Sequence, residues 1–499
     1  MRMKFAAAVG ALAAINAAAA PPRLDSDTAS WWAITSQLSD DSMEGRDTGS
    51  AAYDRAARLV AAKFAAAGLR PAGENGRWFQ SVPMHEISVT KASFSVGGQP
   101  LTFLHDLTIA PARGMPASVD APLAYAGYCA KGSLNDVRGK IVICHGTHRA
   151  GLPGALDREA AVRAAGAAGI LTIADPGFAV EPPRWPYAYA RTLTLASDTQ
   201  KPDPFLKMTL NADALVKVLA GSGRDANALV AAGSEGRSLP NFDVPKRFKV
   251  SLTTAQRDIS SPNVLGFIPG SDPALKDQII VLSAHLDGYG YGEPVNGDRI
   301  YNGTLDDAAY VALLIRLAEH GQSFRRPILI AVVTGEEKGL LGSRWFVSHP
   351  TIAKSSIAAN INLDQLRPIF PLELLTVHAI DDTSLGDDAR TVANSLGVAV
   401  QRDPEPERNL LSRSDNWPFM QAGVPATGFV FGYRPGSKSE QIYRQWYRTG
   451  YHKPQDDLNQ PMDWKAAADF NRFFYKLVER VADKPEAPAW KTQSPLKPH

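Results

Sequence analysis

Ile279-Ile280-Val281-Leu282-Ser283-Ala284-His285-Leu286-Asp287 opens with an unbroken apolar run and ends on an imidazole and a carboxylate. A second run, Ile328-Leu329-Ile330-Ala331-Val332-Val333, leads through Thr334-Gly335 into Glu336-Glu337. Continuous apolar runs of this length read as strands covered on both faces, the signature of a parallel sheet in an α/β fold. Open α/β sheets collect ligands at the carboxyl ends of such strands. His285, Glu336, Glu337 and Asp364 (in Asn362-Leu363-Asp364) are therefore expected on one rim, although they lie far apart in sequence.

Two further residues complete a chemically coherent set: Asp306 in Leu305-Asp306-Asp307 and His452 in Tyr451-His452-Lys453-Pro454. All five of His285, Asp306, Glu337, Asp364 and His452 are placed where an element ends, each after a buried strand. A lone His after a strand, or a lone acidic pair, is most often structural or solvated. The set is what carries the reading. Two imidazoles and three carboxylates can hold two zinc ions, with one carboxylate bridging, and a ligand set without thiolate keeps the ions Lewis-acidic. Adjacent side chains at a strand end point in different directions. One of Glu336-Glu337 can thus bind metal while the other serves as general base toward water. Asp287 is placed to receive the second ring N–H of His285, which would fix its tautomer.

Competing motifs are weak. His85-Glu86 begins like a zincin helix, but no histidine follows four residues after His85. Neither a G-x-S-x-G elbow nor a P-loop is present.

The chain has 499 residues, room for two or three domains, and 44 % hydrophobic residues, enough for a sizeable core. Its 53 basic and 51 acidic residues give a net charge of +2, with no basic stripe, which argues against nucleic acid or an anionic membrane as partner. Arg2 and Lys4 followed by the alanine-rich run Phe5 to Ala20 read as a secretory signal peptide over residues 1–20. The mature protein is then exported, to the periplasm or the medium, with no membrane span. In that compartment Cys129 and Cys144 could form a disulfide, or remain two buried thiols. Two cysteines alone cannot build a thiolate zinc site.

Helical periodicity is expected over Ala29 to Leu38 and Ala51 to Ala67, the second stopping at Gly68. The texture then changes. Residues 95–250 hold short strands, among them Ile141-Val142-Ile143 and Gly169 to Ile173, and a small helix at Ala160 to Ala168, but none of the five ligand candidates. This reads as a domain inserted between a first part, 24–94, and the catalytic part, 251–483, where a helix is expected to run from Asp307 to His320. Residues 484–499, rich in Pro, Lys and polar residues, read as a disordered tail.

Together the motifs resemble the co-catalytic dizinc exopeptidases of metallopeptidase family twenty-eight. That family includes secreted bacterial aminopeptidases, glutamate carboxypeptidase II and the non-catalytic transferrin receptor. The marks occur in family order: Asp41-Ser42-Met43-Glu44-Gly45-Arg46, then His285-Leu286-Asp287, Asn302-Gly303-Thr304-Leu305-Asp306-Asp307, Glu336-Glu337-Lys338-Gly339-Leu340-Leu341-Gly342-Ser343, Asn362-Leu363-Asp364, Arg413-Ser414-Asp415 and Tyr451-His452-Lys453-Pro454. The insert is similar to a protease-associated domain, through Ala126-Gly127-Tyr128, Val137 to Val142 and Gly166 to Ile170. The resemblance implies a three-layer α/β/α sandwich with a mixed, mostly parallel sheet. It implies that Asp306 bridges two zinc ions, one also held by His285 and Asp364, the other by Glu337 and His452, with Glu336 as the base. The chain departs from the family at Asp307, where Asn is frequent, at Ala309-Tyr310, where a Ser-Gly pair is frequent, and at Gly288, often polar.

An aminopeptidase acting on peptides is the leading expectation. A carboxypeptidase or dipeptidase on the same fold would need a cation facing the substrate carboxylate, for which Arg408 or Arg413 could serve. A glutaminyl-cyclase-like acyltransferase works with one zinc and lacks the insert. A receptor-like binding protein has no need of a base beside two metals. The insert is expected either to overhang the site, by way of the loop Pro182-Pro183-Arg184-Trp185-Pro186, or to be a passive domain.

Overall fold

A computed structural model of the chain describes residues 24–176, 184–364 and 366–498. The expected signal peptide, and Pro182 and Pro183 of the expected overhanging loop, lie outside the described residues. The apolar runs form the strands Ile279–His285 and Ile328–Val333, buried at every position. They pair in parallel, Ile280 opposite Ile328 and His285 opposite Val333. Ile357–Asn362 adds a further parallel strand on the other side of Ile279–His285, followed by Ala426–Thr427.

Alternation within these strands divides the side chains between two layers. Ile280, Leu282, Ile330 and Val332 pack with Trp31, Tyr53, Phe64, Leu313 and Phe474, from the helices Ser26–Leu38, Ala51–Ala66, Ala309–Glu319 and Trp464–Asp483. Ile279, Val281, Leu329 and Val333 pack with Phe346, Phe419 and Met420, from Leu341–Ser348 and Asn416–Gln421. Helices on both faces of a mixed sheet make the α/β/α sandwich.

The mixed character comes from one long strand. Asn241–Ile268 spans 28 residues. Its last five residues pair antiparallel with Ile328–Val333, and its first part pairs antiparallel with Ser118–Ala126. Between these it runs beside Phe79–Val96, from Val264 opposite Phe79 to Phe248 opposite Val96. Beyond Ser118–Ala126 the sheet continues through Ile141–His145, Gly169–Ile173, Leu206–Leu210 and Leu107–Ile109. A second hydrophobic core, drawn from Val89 to Leu252, packs against these strands. The expected limits of the insert, at 95 and 250, fall inside the two long strands and not in linkers. The chain crosses between its cores on paired β structure.

Local signals place the first helices. The Asp25 side chain accepts from the backbone of Asp27 and Thr28 and starts Ser26–Leu38, earlier than periodicity alone indicates. Ser50 caps Ala51–Ala66, and Gly68 follows in the left-handed conformation that favours glycine, φ 79°. The expected helix at 160–168 is found at Ala155–Ala164. Cys129 and Cys144 are joined in a disulfide. Among the described residues no helix is long and apolar enough to cross a membrane.

The tail departs from expectation. The Trp490 indole N–H donates to the Gly423 carbonyl at 2.7 Å, Lys491 N to the Asp382 carbonyl at 2.8 Å, and Ser494 Oγ to Asp382 Oδ1 at 2.8 Å. Trp490 and Leu496 pack on the second layer. Two apolar anchors outweigh a polar composition, so residues 484–498 follow the surface in place of the expected disorder.

Leu282 is fully buried in the strand that ends on His285. Leu282→Ala is expected to destabilise the protein by about 2–5 kcal/mol, read from the denaturant midpoint of the catalytic-domain transition.

Candidate metal centre

His285 is the last residue of its strand, Glu336 and Glu337 follow Ile328–Val333 by three and four residues, and Asp364 follows Ile357–Asn362 by two. These four are on the rim expected of them. Asp306 and His452 reach the same place by other routes. Asp306 lies in an irregular turn, Thr304–Ala308, before the helix Ala309–Glu319. The expected helix from Asp307 therefore starts two residues later, because Asp306 and Asp307 leave helical geometry. His452 follows the helix Lys438–Thr449, not a strand, and holds a left-handed φ of 52°.

The two imidazoles converge on Asp306. His285 Nε2 lies 3.3 Å from Asp306 Oδ1, and His452 Nε2 lies 3.4 Å from Asp306 Oδ2 and 3.6 Å from Glu337 Oε2. Ligand atoms of His285, Glu336 and Glu337 lie within 4.8 Å of one another, as do those of Asp306, Glu337 and His452, and those of His285, Asp307 and Asp364. Neither oxygen of buried Asp364 has a hydrogen-bond partner, and the neighbouring Ser414 hydroxyl donates instead to the Leu410 carbonyl at 3.4 Å. A buried carboxylate without donors needs a cation. The donor set is nitrogen and oxygen, free of thiolate, and one carboxylate offers an oxygen to each imidazole pole. These residues fit a pair of metal ions with Asp306 between them.

The outer bonds orient the ring nitrogens. His285 Nδ1 lies 3.0 Å from the Asp287 carbonyl oxygen, so Nδ1–H donates there and the Nε2 lone pair faces Asp306. Asp287 thus meets this ring through its carbonyl, while its carboxylate Oδ1 stands 3.9 Å away. That carboxylate instead accepts the backbone N–H of Glu336 at 3.1 Å, that of Glu337 at 3.3 Å, and the Thr48 hydroxyl at 3.0 Å. Asp287 holds the turn that presents the two glutamates.

Tyr289 does for His452 what the Asp287 carbonyl does for His285. Its hydroxyl donates to Glu337 Oε2 at 2.5 Å and lies 3.2 Å from His452 Nδ1. The hydroxyl hydrogen is committed to the carboxylate, so His452 Nδ1–H donates to the hydroxyl oxygen and leaves Nε2 facing Asp306. Asp456 fixes the Asp306 turn, its carboxylate accepting Leu305 N at 2.9 Å and Asp306 N at 3.1 Å. Arg46, fully buried, donates to the carbonyls of Leu38, Leu286, Asn302 and Gly303 and so ties the first turn to two ligand-bearing segments.

Electrostatics follow from burial. Burial opposes ionisation of Asp306, but Arg367 and the two imidazoles hold its carboxyl well below the usual range. Arg367, itself fully buried, reaches Asp306 Oδ2 at 3.4 Å and lies over the Trp446 and Tyr451 rings at 4.5 and 5.6 Å. Burial pushes Glu336 well up and Glu337 to about 7. Burial alone would lower His285, yet Asp306 and Glu336 hold it well above its usual range. Asp307 is also pushed well up by burial, and one of its oxygens accepts His285 N at 3.1 Å.

Tyr189, Tyr289, Asp306, Glu336, Glu337, Arg413 and His452 are among the residues around a pocket of about 360 Å³, of ligand-binding size. Tyr189 comes from the segment between the long strands, and its hydroxyl donates to that of Tyr289 at 3.4 Å. Of the two candidate cations, Arg413 reaches the pocket. Arg408 is turned away, paired with Glu405 at 3.2 Å and lying over the Tyr447 ring at 4.4 Å.

Sequence reasoning did not single out Tyr289, Arg367, Asp456 or Tyr189. Tyr289 stands two residues past Asp287 and Asp456 four past His452, so proximity to motifs was their only signal. Arg367 and Tyr189 carried none.

An α/β/α sandwich that gathers imidazoles and carboxylates at its strand ends is the frame of a metallohydrolase. Residues 263–478 match Peptidase family M28. The chain is 23 % identical over 346 residues to leupeptin-inactivating enzyme 1 of Streptomyces exfoliatus, covering 66 % of this chain and 72 % of that protein. Its fold is similar to that of BSAP, a zinc aminopeptidase from Bacillus subtilis, with a TM-score of 0.61 and 18 % identity over 93 % of this chain and 98 % of that one. An aminopeptidase from Aneurinibacillus sp. strain AM-1 gives 0.60 and 16 %, over 92 % and 95 %. At these identities the solved structures bear on the fold alone.

Tyr289→Phe removes one hydroxyl that serves both Glu337 and His452. It is expected to weaken metal binding about 10–100-fold with little change in thermal stability, as read by titrating zinc into the metal-depleted protein.

Proposed function

We propose that this M28 peptidase is an exported, zinc-dependent exopeptidase, an aminopeptidase that releases single residues from the free amino terminus of peptides. The observation that carries the reading is Asp306, with one oxygen before each imidazole and the Glu336 carboxylate alongside. His285, Asp306 and Asp364 would hold one zinc ion, and Asp306, Glu337 and His452 the other. When bound, the ions supply Lewis acidity that polarises the scissile carbonyl and acidifies a water.

The chain's own residues do the rest. The Glu336 carboxylate makes no hydrogen bond to a described side chain, and it reaches the pocket. It takes a proton from the attacking water, and the same oxygen then gives that proton to the departing amine nitrogen. Asp287, through the backbone N–H groups of Glu336 and Glu337, keeps both glutamates in place during the transfer. The carboxylates around the pocket favour an ammonium, so the substrate's free amino group belongs on this side. Tyr189 and Tyr289 also line the pocket.

Arg413 on the pocket supports a second reading, a carboxypeptidase or dipeptidase, in which it would take a substrate carboxylate next to the scissile bond. Blocking experiments separate the two. Acetylating the amino terminus of a good substrate is expected to nearly abolish cleavage, and amidating the carboxyl terminus is not. The reverse pattern selects the carboxypeptidase, and cleavage of a doubly blocked peptide removes exopeptidase character.

Two zinc ions per chain are expected by elemental analysis, with activity lost to a chelator. Glu336→Gln is expected to keep both ions and lower turnover by about 10²–10⁴-fold. Glu337→Ala is expected to lose zinc itself. Equal metal loss in both variants would overturn the division of roles.

A further inference from the structure

Lys338 stands directly after the two glutamates, yet neither the metal centre nor the base uses it. Its Nζ donates to the Ala188 carbonyl at 2.9 Å and lies 5.9 and 5.7 Å from the ring centres of Tyr189 and Tyr289. It makes no ion pair with a carboxylate among the described residues. A cation in this position is short of an acceptor.

The ammonium borders a second pocket, of about 370 Å³, between the two cores. Trp185, Thr192 and Lys207 form one side, and Glu337 and Lys338 the other. Tyr189 and Glu337 line both this pocket and that of the metal centre, so the two adjoin. Two other cations line it, and both are engaged. Arg191 pairs with Asp47 and Glu86, each at 2.6 Å, and Lys207 with Glu159 at 2.9 Å. Among the described residues, Lys338 is the lining cation without a carboxylate.

Distance sets what could reach it. The Tyr289 hydroxyl touches Glu337 at the metal centre, and the Tyr289 ring separates that contact from the Lys338 ammonium. A peptide extends by ~3.3–3.6 Å per residue. Two or three residues beyond the scissile bond reach ~7–11 Å, enough to pass one aromatic ring, and what a short peptide carries there is its C-terminal carboxylate.

We propose that Lys338 receives the free C-terminal carboxylate of peptides of three or four residues, and that the pocket between the cores selects such peptides. This rests on the aminopeptidase reading and names its substrate class. The competing role for Lys338 is to dock Ala188 and the two tyrosines, with no contact to substrate.

The test uses the zinc-loaded protein and the best-cleaved peptide from a panel of X-Gly-Gly tripeptides. That peptide is assayed as free acid and as C-terminal amide, beside the anilide of the same residue X. Wild-type protein is expected to show KM about tenfold or more lower for the acid than for the amide, the scale of a hydrogen bond to a charged group. K338M is expected to erase that ratio through the KM of the acid, and K338R to keep much of it. K338Q retains a donor for the Ala188 carbonyl without the charge, so it repeats the test should K338M fold poorly. Its zinc content and melting temperature are measured alongside. A wild-type protein that treats acid and amide alike overturns the proposal, as does K338Q with the ratio intact. If the anilide is cleaved while acid and amide do not differ, Lys338 alone fails. If neither anilide nor tripeptide is cleaved, the aminopeptidase reading fails first.

Discussion

Crowded negative charge is the constraint on which the catalytic half is built. Asp287, Asp306, Asp307, Glu336, Glu337, Asp364 and Asp415 meet at one end of the sheet. Burial pushes every one of these carboxyls up and prevails at all but Asp306, with Asp415 reaching about 7. Like charges at such range oppose folding unless cations answer them. Arg367 answers Asp306, and its setting is chosen for a guanidinium: two aromatic faces, two carbonyls and one carboxylate oxygen. The imidazoles answer a further part. What remains unanswered, above all Asp364 with both oxygens bare, is the charge that a pair of divalent ions would neutralise. The arrangement is unfavourable for the protein's own groups and suits a site that would be completed by metal.

Ligands at the ends of elements lack the backbone bonds that strands and helices provide, so the turns need substitutes. Buried ionised groups supply them. The Asp287 carboxylate holds two consecutive N–H groups of the Glu336-Glu337 turn, and the Asp456 carboxylate holds two of the Leu305-Asp306 turn. Arg46 does the converse and gathers carbonyls from both sides of the ligand loops. Charge-assisted bonds of this kind are shorter and stronger than neutral ones. They also make the first turn of the chain part of the site. Thr48 and Arg46 precede His285 by over two hundred residues, yet one bonds the Asp287 carboxylate and the other the carbonyl beside it.

The sandwich and its rim were legible because strand burial is written in unbroken runs such as Ile328 to Val333, and because ligand chemistry restricts residue type. His285, Glu336, Glu337 and Asp364 followed from those two facts. His452 was expected after a strand and follows a helix, since a helix end and a strand end look alike where both are short of periodicity. Spacing brings Asp287 near the imidazole, but only the fold decides whether its carbonyl or its carboxylate turns that way. Arg367 and Tyr289 were invisible because their roles lie in contacts across the fold, with Asp306 and with His452. The tail was misjudged by composition, which averages away the two apolar side chains that anchor it.

The segment between the long strands is bound to the site more closely than its own core suggests. A domain joined through linkers can shift without consequence for a neighbour's active site. Here the connection is a ladder of paired residues from Phe79 to Val96, and the far end of the same strand belongs to the catalytic sheet. Its approach to the site is equally direct. Tyr189 meets the Tyr289 hydroxyl, and that hydroxyl contacts Glu337 and His452. Ala188 takes the ammonium of the residue after Glu337. Two neighbouring residues of the second unit therefore touch the shell around one metal-binding half of the centre. A displacement of that unit would reach the orientation of His452 through a single tyrosine, which gives this chain a physical reason to join its two cores by continuous strands.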